Sequence, residues 1–241
     1  MKGLVHHMLN LVLTESAIEL VPSDLWKHPA VMKRSRLIGK NPGQMLLDRS
    51  YHHGAMLQIK DGRKRGRPDI AHFCLLNALG APLNLEGGLR TSVHTREDKL
   101  IMVSPETRLP RNYDRFVGLV EQLYIQGKVP AKGKTLLEIR SETLSQHIRD
   151  IDASRIVALS RAGAKSTIQE VVEMVAAEPN PLFLIGGFPA GGFSSQTTGL
   201  ADDIFSIYHE TLDASIVVAR VIYEYEKTMG LSSSCLTSHV R

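Results

Sequence analysis

At 241 residues and 26.7 kDa, with 43% hydrophobic and 22% charged residues, the chain is long enough for one large core that removes roughly 70% of its unfolded surface from water, which excludes disorder along its length. No apolar stretch approaches the roughly 20 residues of a membrane span, and Met1–Asn10 lacks an apolar segment followed by a small-residue cleavage site, so no membrane partner and an intracellular location are expected. The net charge of +4 is ordinary, and two cysteines, Cys74 and Cys235, exclude both a disulfide framework and a cysteine-based zinc site.

In chain order, Leu9 to Leu13 is a short apolar run that reads as a buried first strand. Residues 22–66 are polar and interrupted by Pro29 and Pro42, and read as loops and short helices without a core of their own. Ile70 to Leu79 reads as a helix; Leu89–Thr95 and Lys99–Val103 read as a hairpin around Arg96, Glu97 and Asp98. Pro110 suits a first helical position, and Phe116, Leu119, Val120 and Leu123 recur as one buried face of a helix reaching about Ile125. On that reading Arg111 and Arg115, four apart, share its solvent side. From about Thr135 strands and helices alternate: a strand at Leu136–Arg140, a short helix at Leu144–Ile148, a strand at Arg155–Ser160 and a helix at Thr167–Ala177. Either Ser166 with Gln169 or Thr167 with Glu170 fits a capping box for the last of these. Strands at Leu182–Gly186 and Ile204–Ile207 and a closing helix at Asp213–Lys227, apolar on nearly all sides and expected to be buried, complete the pattern. Alternation of this kind predicts a mostly parallel sheet with helices on both faces. The tail, 230–241, is expected to fray.

The charge is unevenly placed. Lys60–Arg67 holds five bases and one acid, and Arg108–Arg115 three bases and one acid; these carry +4 and +2, so everything else together is −2. A concentrated basic surface on a near-neutral body is the footprint of a phosphate-rich partner, two solvated basic loops being the alternative. The loop Ile185-Gly-Gly-Phe-Pro-Ala-Gly-Gly-Phe193 follows a buried strand, where α/β sheets bind ligands; a plain tight turn is its alternative. It is neither a dinucleotide fingerprint nor a P-loop. None of the ten histidines is spaced as a metal set, so no metal is expected, and the His209, Glu210, Asp213 cluster reads as a capped helix start.

Five ordered segments carry a resemblance: Gly66-Arg-Pro-Asp-Ile-Ala-His-Phe-Cys-Leu-Leu76, Pro105 to Leu119 with its three arginines, Leu159-Ser-Arg-Ala-Gly-Ala-Lys165, Ile185-Gly-Gly-Phe-Pro-Ala-Gly191 and Glu210-Thr-Leu-Asp-Ala-Ser215. In this order, between about Leu9 and Glu226, they resemble the ribosome-biogenesis pseudouridine-N1 methyltransferases of the SPOUT class. The resemblance implies one α/β domain over 1–229, a mostly parallel sheet with a C-terminal trefoil knot, and an RNA-holding insertion over about 22–110. It implies a methyl donor, S-adenosylmethionine, a small-subunit rRNA substrate, a homodimer, and a cytoplasmic location, nucleolar in a eukaryote. Carried over residue by residue, Arg67, Arg108, Arg111 and Arg115 match rRNA contacts. Asp69 matches the acid that holds Arg67; a general base is its other reading. Leu159, Gly186, Gly191 and the run Ile207, Tyr208, His209, Glu210, Thr211, Leu212 match the wall around the donor. Because His209-Glu-Thr stands where some relatives are Asn-Tyr-Pro-like, main-chain contacts are expected there. The competing reading is a non-catalytic assembly factor that keeps the arginine surface and a vestigial donor loop.

Overall fold

Along the central strands, alternate side chains enter two different cores, and this alternation fixes the layers. The computed structural model describes residues 8–57 and 59–231; the readings made of the first seven residues, of Cys235 and of nearly all the tail lie outside them. The strands are β1 (Leu9–Ser16), β2 (Leu89–Thr95), β3 (Leu100–Val103), β4 (Lys128–Val129), β5 (Leu137–Arg140), β6 (Arg155–Lys165), β7 (Pro181–Gly186) and β8 (Asp203–Ser206), in the order β4-β5-β3-β2-β1-β7-β6-β8. Pairing is parallel from β2 through β1, β7 and β6 to β8; β3, β5 and β4 add an antiparallel wing. The helices are α1 (Pro29–Ile38), α2 (Arg49–Met56), α3 (Pro68–Gly80), α4 (Pro82–Leu85), α5 (Tyr113–Gln126), α6 (Leu144–Asp150), α7 (Ile168–Val175), α8 (Ser195–Thr198) and α9 (Ala214–Thr228).

Leu9, Leu11 and Leu13 of β1, Val157 and Leu159 of β6, and Phe183 and Ile185 of β7 enter a large core roofed by α3, α5, α7 and α9. Their neighbours Val12, Ala158, Leu182 and Leu184 point the other way, onto Leu144 and Ile148 of α6. A period of two with both faces covered is what a parallel sheet demands of its strands. Thr167 and Glu170 form the capping box of α7. No described helix is long and apolar enough to cross a membrane. Cys74 is buried on α3, and burial pushes its thiol up to about 12.

The structure corrects three of these expectations. The polar segment after β1 does own a small core, in which Val21, Leu25, Val31, Met45, Leu47, Ala55 and Met56 pack together; scattered through turns and short helices, they have no period to betray them. Helix α5 starts at Tyr113, because Asn112 caps it by accepting from the Arg115 N–H at 3.1 Å. Arg111 therefore lies in the turn before the helix rather than on its face. Helix α9 is buried on one side only, through Val218, Val221, Ile222 and Tyr225, and leaves Ile216 and Tyr223 exposed.

Candidate active site

The C-terminal ends of β6, β7 and β8 converge on a cavity of about 400 Å³, the end at which parallel α/β sheets bind ligands. Its floor is apolar: Leu159, Ile185, Phe205 and Val217. The glycine loop after β7 covers one side and residues 207–212 the other, so Leu159, Gly186, Gly191, Ile207, Tyr208, Glu210, Thr211 and Leu212 all line it. His209 does not; its ring packs against Tyr208, 4.2 Å away. The register of β6 against β8 shifts between Leu159 and Ala164, and this irregularity brings Ser160, Arg161 and Ala162 to the cavity. Arg161, Phe188 and Phe193 are lining residues that sequence reasoning left out. The phenyl rings of the last two meet edge to face at 5.6 Å.

Two glycines have distinct reasons to be glycine. At Gly187 a Cβ would sit 2.1 Å from the Ser16 Oγ, so the loop can press against β1 only without one. Its N–H donates to the Thr14 carbonyl at 2.9 Å, and its carbonyl accepts from the Ala17 N–H at 2.8 Å. Gly191 has φ +87°, a conformation that side chains with a Cβ rarely adopt, and a Cβ there would lie 2.7 Å from the Lys64 Cε.

Beside the cavity stands an arginine–carboxylate pair. Arg67 Nε and Nη2 donate to the two oxygens of Asp69 at 2.8 and 2.7 Å, and these bonds raise the guanidinium's pKa. Pro68 is the first residue of α3 and Asp69 the second, and no side chain caps this helix. Asp69 is thus an acid in the positive first turn of α3. Asp48 and Asp213 also act on Arg67 by their charge. Asp213 occupies the N-cap position of α9, its side chain making no capping bond, and the next residue, Ala214, lines the cavity. The Arg67 pair and the cavity therefore share one helix start. Tyr113 donates to Asp48 at 2.5 Å; burial first, and then this bond, push its hydroxyl far above the ordinary range. His72 Nε2 lies 2.7 Å from the Pro110 carbonyl and its ring stacks on Phe116 at 4.2 Å, which ties the Arg108–Arg111 turn to α3.

Arg108, Arg111 and Arg115 are exposed, and among the described residues their side chains hold no hydrogen bond or ion pair. The Lys60–Arg67 run is different. Arg65 turns inward to the buried Glu19, at 2.8 and 2.5 Å, Lys64 reaches the Gly192 carbonyl and Arg67 is held by Asp69. Three of its five bases have internal partners, so composition overstated the free positive charge of this segment. No group of three or more metal-ligating side chains occurs among the described residues.

A model of the EMG1/NEP1 methyltransferase family matches residues 11–226. The chain belongs to that family. It is 48% identical over 215 residues to the ribosomal RNA small subunit methyltransferase Nep1 of Staphylothermus marinus, covering 89% of this chain and 93% of that one. It is 43% identical to the Nep1 of Thermococcus kodakarensis over 93% of this chain and all of the relative. The crystal structure of Archaeoglobus fulgidus Nep1 bound to S-adenosylhomocysteine matches with a TM-score of 0.82 at 35% identity, covering 92% of this chain and 99% of that one. The chain is a methyltransferase of this family, with its SPOUT-type α/β sheet. A donor cofactor fits the cavity described above: a loop that brings Gly186, Gly191 and Gly192 to one wall, the phenyl rings of Phe188 and Phe193 in the same loop, and an apolar floor.

Proposed function

We propose that this chain transfers the methyl group of S-adenosylmethionine to N1 of a pseudouridine in small-subunit ribosomal RNA, in the course of subunit assembly. The reading carries over what the names of its relatives state, a small-subunit rRNA substrate and a bound S-adenosylhomocysteine. One observation of this structure supports it most: the start of α9 belongs both to the cavity, through Ala214, and to the surroundings of Arg67, through Asp213. Bound there, the cofactor supplies a methyl group on a positively charged sulfonium. The protein's part is placement. Leu159, Ile185 and Val217 give the donor an apolar floor, and the loop holds it beside the arginines, a near-attack arrangement that supplies up to about 7 to 11 kcal/mol. Arg67, oriented by Asp69, is placed to stabilise negative charge as the N1 proton leaves. Both oxygens of Asp69 accept from Arg67, which favours the orienting role over that of a base. Arg108, Arg111 and Arg115 hold RNA phosphate and base.

The homodimer is supported by an exposed apolar face where α3 meets α9, made by Phe73, Ile216 and Tyr223 beside the hydrogen bond from Asn77 to the Ser215 carbonyl. The trefoil knot is supported by the path of the chain: β8 lies beyond β6, yet α9 returns to pack on α7, β7 and α3. The cytoplasm, or the nucleolus of a eukaryote, is where such a substrate is met.

The test is direct. Wild-type protein is expected to bind S-adenosylmethionine in a calorimeter and to move a labelled methyl group onto pseudouridine-containing small-subunit RNA; donor binding without transfer would instead identify a non-catalytic assembly factor. For the arginines, four contacts to single-stranded RNA give a slope near −3 in log K against log salt, and Arg111→Ala is expected to flatten it by about 0.7. Unchanged affinity and slope in Arg111→Ala would place the RNA elsewhere.

A further inference from the structure

Lys64 belongs to the basic run, yet its side chain is committed to the opposite partner. The base from which it reaches is fixed: Arg65 is pinned to buried Glu19, Arg49 Nη2 donates to the Gly62 carbonyl at 2.5 Å, and Arg96 pairs with Asp61 at 2.7 Å. From there the stem passes so close over Gly191 that a Cβ on that glycine would meet its Cε at 2.7 Å. The ammonium donates to the Gly192 carbonyl, stands 4.6 Å from the centre of the Phe188 ring and lies 3.7 Å from Glu15. That carboxylate is itself fixed, accepting from the Ser194 N–H and the Thr197 hydroxyl at 2.7 Å each. Phe188, Gly191 and Gly192 all line the cavity. The ammonium thus has an acceptor, a carboxylate and a ring face.

We propose that Lys64 is a positioning residue for the donor site: it holds the glycine loop and the Phe188 ring in the shape that receives S-adenosylmethionine, and it is not one of the phosphate-binding bases of the run. The inference rests on the reading of that loop as the donor site. The loop is otherwise anchored near its start, by Gly187 on β1, and past its end, by Ser194 on Glu15. Lys64 is what grips it between these points. Because the residue arrives from the insertion that also carries Arg67, an intact insertion is then a condition of a well-shaped donor site.

The experiment uses the full chain. Lys64→Met keeps the stem and removes the ammonium; it is expected to weaken S-adenosylmethionine binding about tenfold in calorimetry, the loss of roughly one charge-assisted contact. In turnover, KM for the donor rises by a similar factor while kcat holds, the mark of lost ground-state binding. Lys64→Arg, which keeps the charge and a donor, is expected to stay within about threefold of wild type. Glu15→Gln, which removes the facing charge, is expected to weaken the donor about threefold. RNA affinity and its salt slope are expected to be the same in all of them, and melting temperature checks that each is folded. Lys64→Met with donor affinity within about twofold of wild type, or with an RNA salt slope flatter by about 0.7, would overturn the proposal. So would a Lys64→Arg protein as poor as Lys64→Met. A wild-type chain that binds no donor fails at the reading of the loop itself.

Discussion

Gly191→Val is expected to weaken S-adenosylmethionine binding by about tenfold to a hundredfold, the equivalent of roughly 1 to 3 kcal/mol of strain at a positive-φ site. The cause differs from the one that sequence alone implies. A bare glycine invites the argument that main chain must approach a ligand; here φ is +87°, and the added Cβ would run into the Lys64 stem. A β-branched residue tolerates that backbone least, so the loop has to change course and carry Phe188 and Gly192 with it. Gly80→Ala is the control, at a glycine that does not line the cavity. Its φ is not in the positive range and nothing lies within 4 Å of the Cβ it would acquire, so its donor affinity is expected to match wild type. Calorimetry on the two proteins decides between them. Gly191→Val retaining affinity within about twofold, with melting unchanged, would show that the donor lies somewhere other than this loop.

How much of this was legible depended on how far apart the interacting residues are. The strands Leu89–Thr95 and Leu182–Gly186 showed themselves because a buried strand is a local run of apolar residues, and the stripe of α7 because a helix repeats every 3.6 residues. The glycine loop and the Arg-Pro-Asp turn were visible as contiguous motifs. The core beneath α1 and α2 was not, because its members come from turns with no common period. Nor was the start of α5, where proline and asparagine each make a plausible entry and only hydrogen bonding chooses Asn112. Charge was the most misleading signal. Arg65, Lys64 and Arg67 are one class in a composition, but Glu19, Gly192 and Asp69 give each a different fate. Arg161 reaches the cavity through an irregularity of β6 against β8, and an irregularity that depends on a strand some forty residues away leaves no local mark.

Arg67→Ala is expected to slow methyl transfer by about a hundredfold, the penalty typical of a reacting group misplaced by roughly an ångström. Asp69→Asn tells what that arginine needs. An amide keeps one acceptor for Arg67 and loses the charge, so a slowing of about tenfold is expected if Asp69 orients Arg67. The two changes should not multiply: once Arg67 is gone Asp69 has nothing to hold, and the double variant is expected to be no slower than Arg67→Ala, a coupling that a double-mutant cycle reads directly. A general base behaves otherwise, since its loss strikes the proton transfer whether or not the arginine is present, and the two factors would then multiply. Stability offers a second check. With Asp69 in the first turn of α3 and no capping bond, its charge is worth about 0.3 to 1 kcal/mol against the helix dipole, and melting should fall by no more than about 4 °C. Donor affinity should hold in all three proteins, because neither side chain lines the cavity. Asp69→Asn slower than about a hundredfold, with RNA affinity intact and the slowing undiminished in the Arg67→Ala background, would make Asp69 the base and leave the orientation of Arg67 to Asp48 and Asp213.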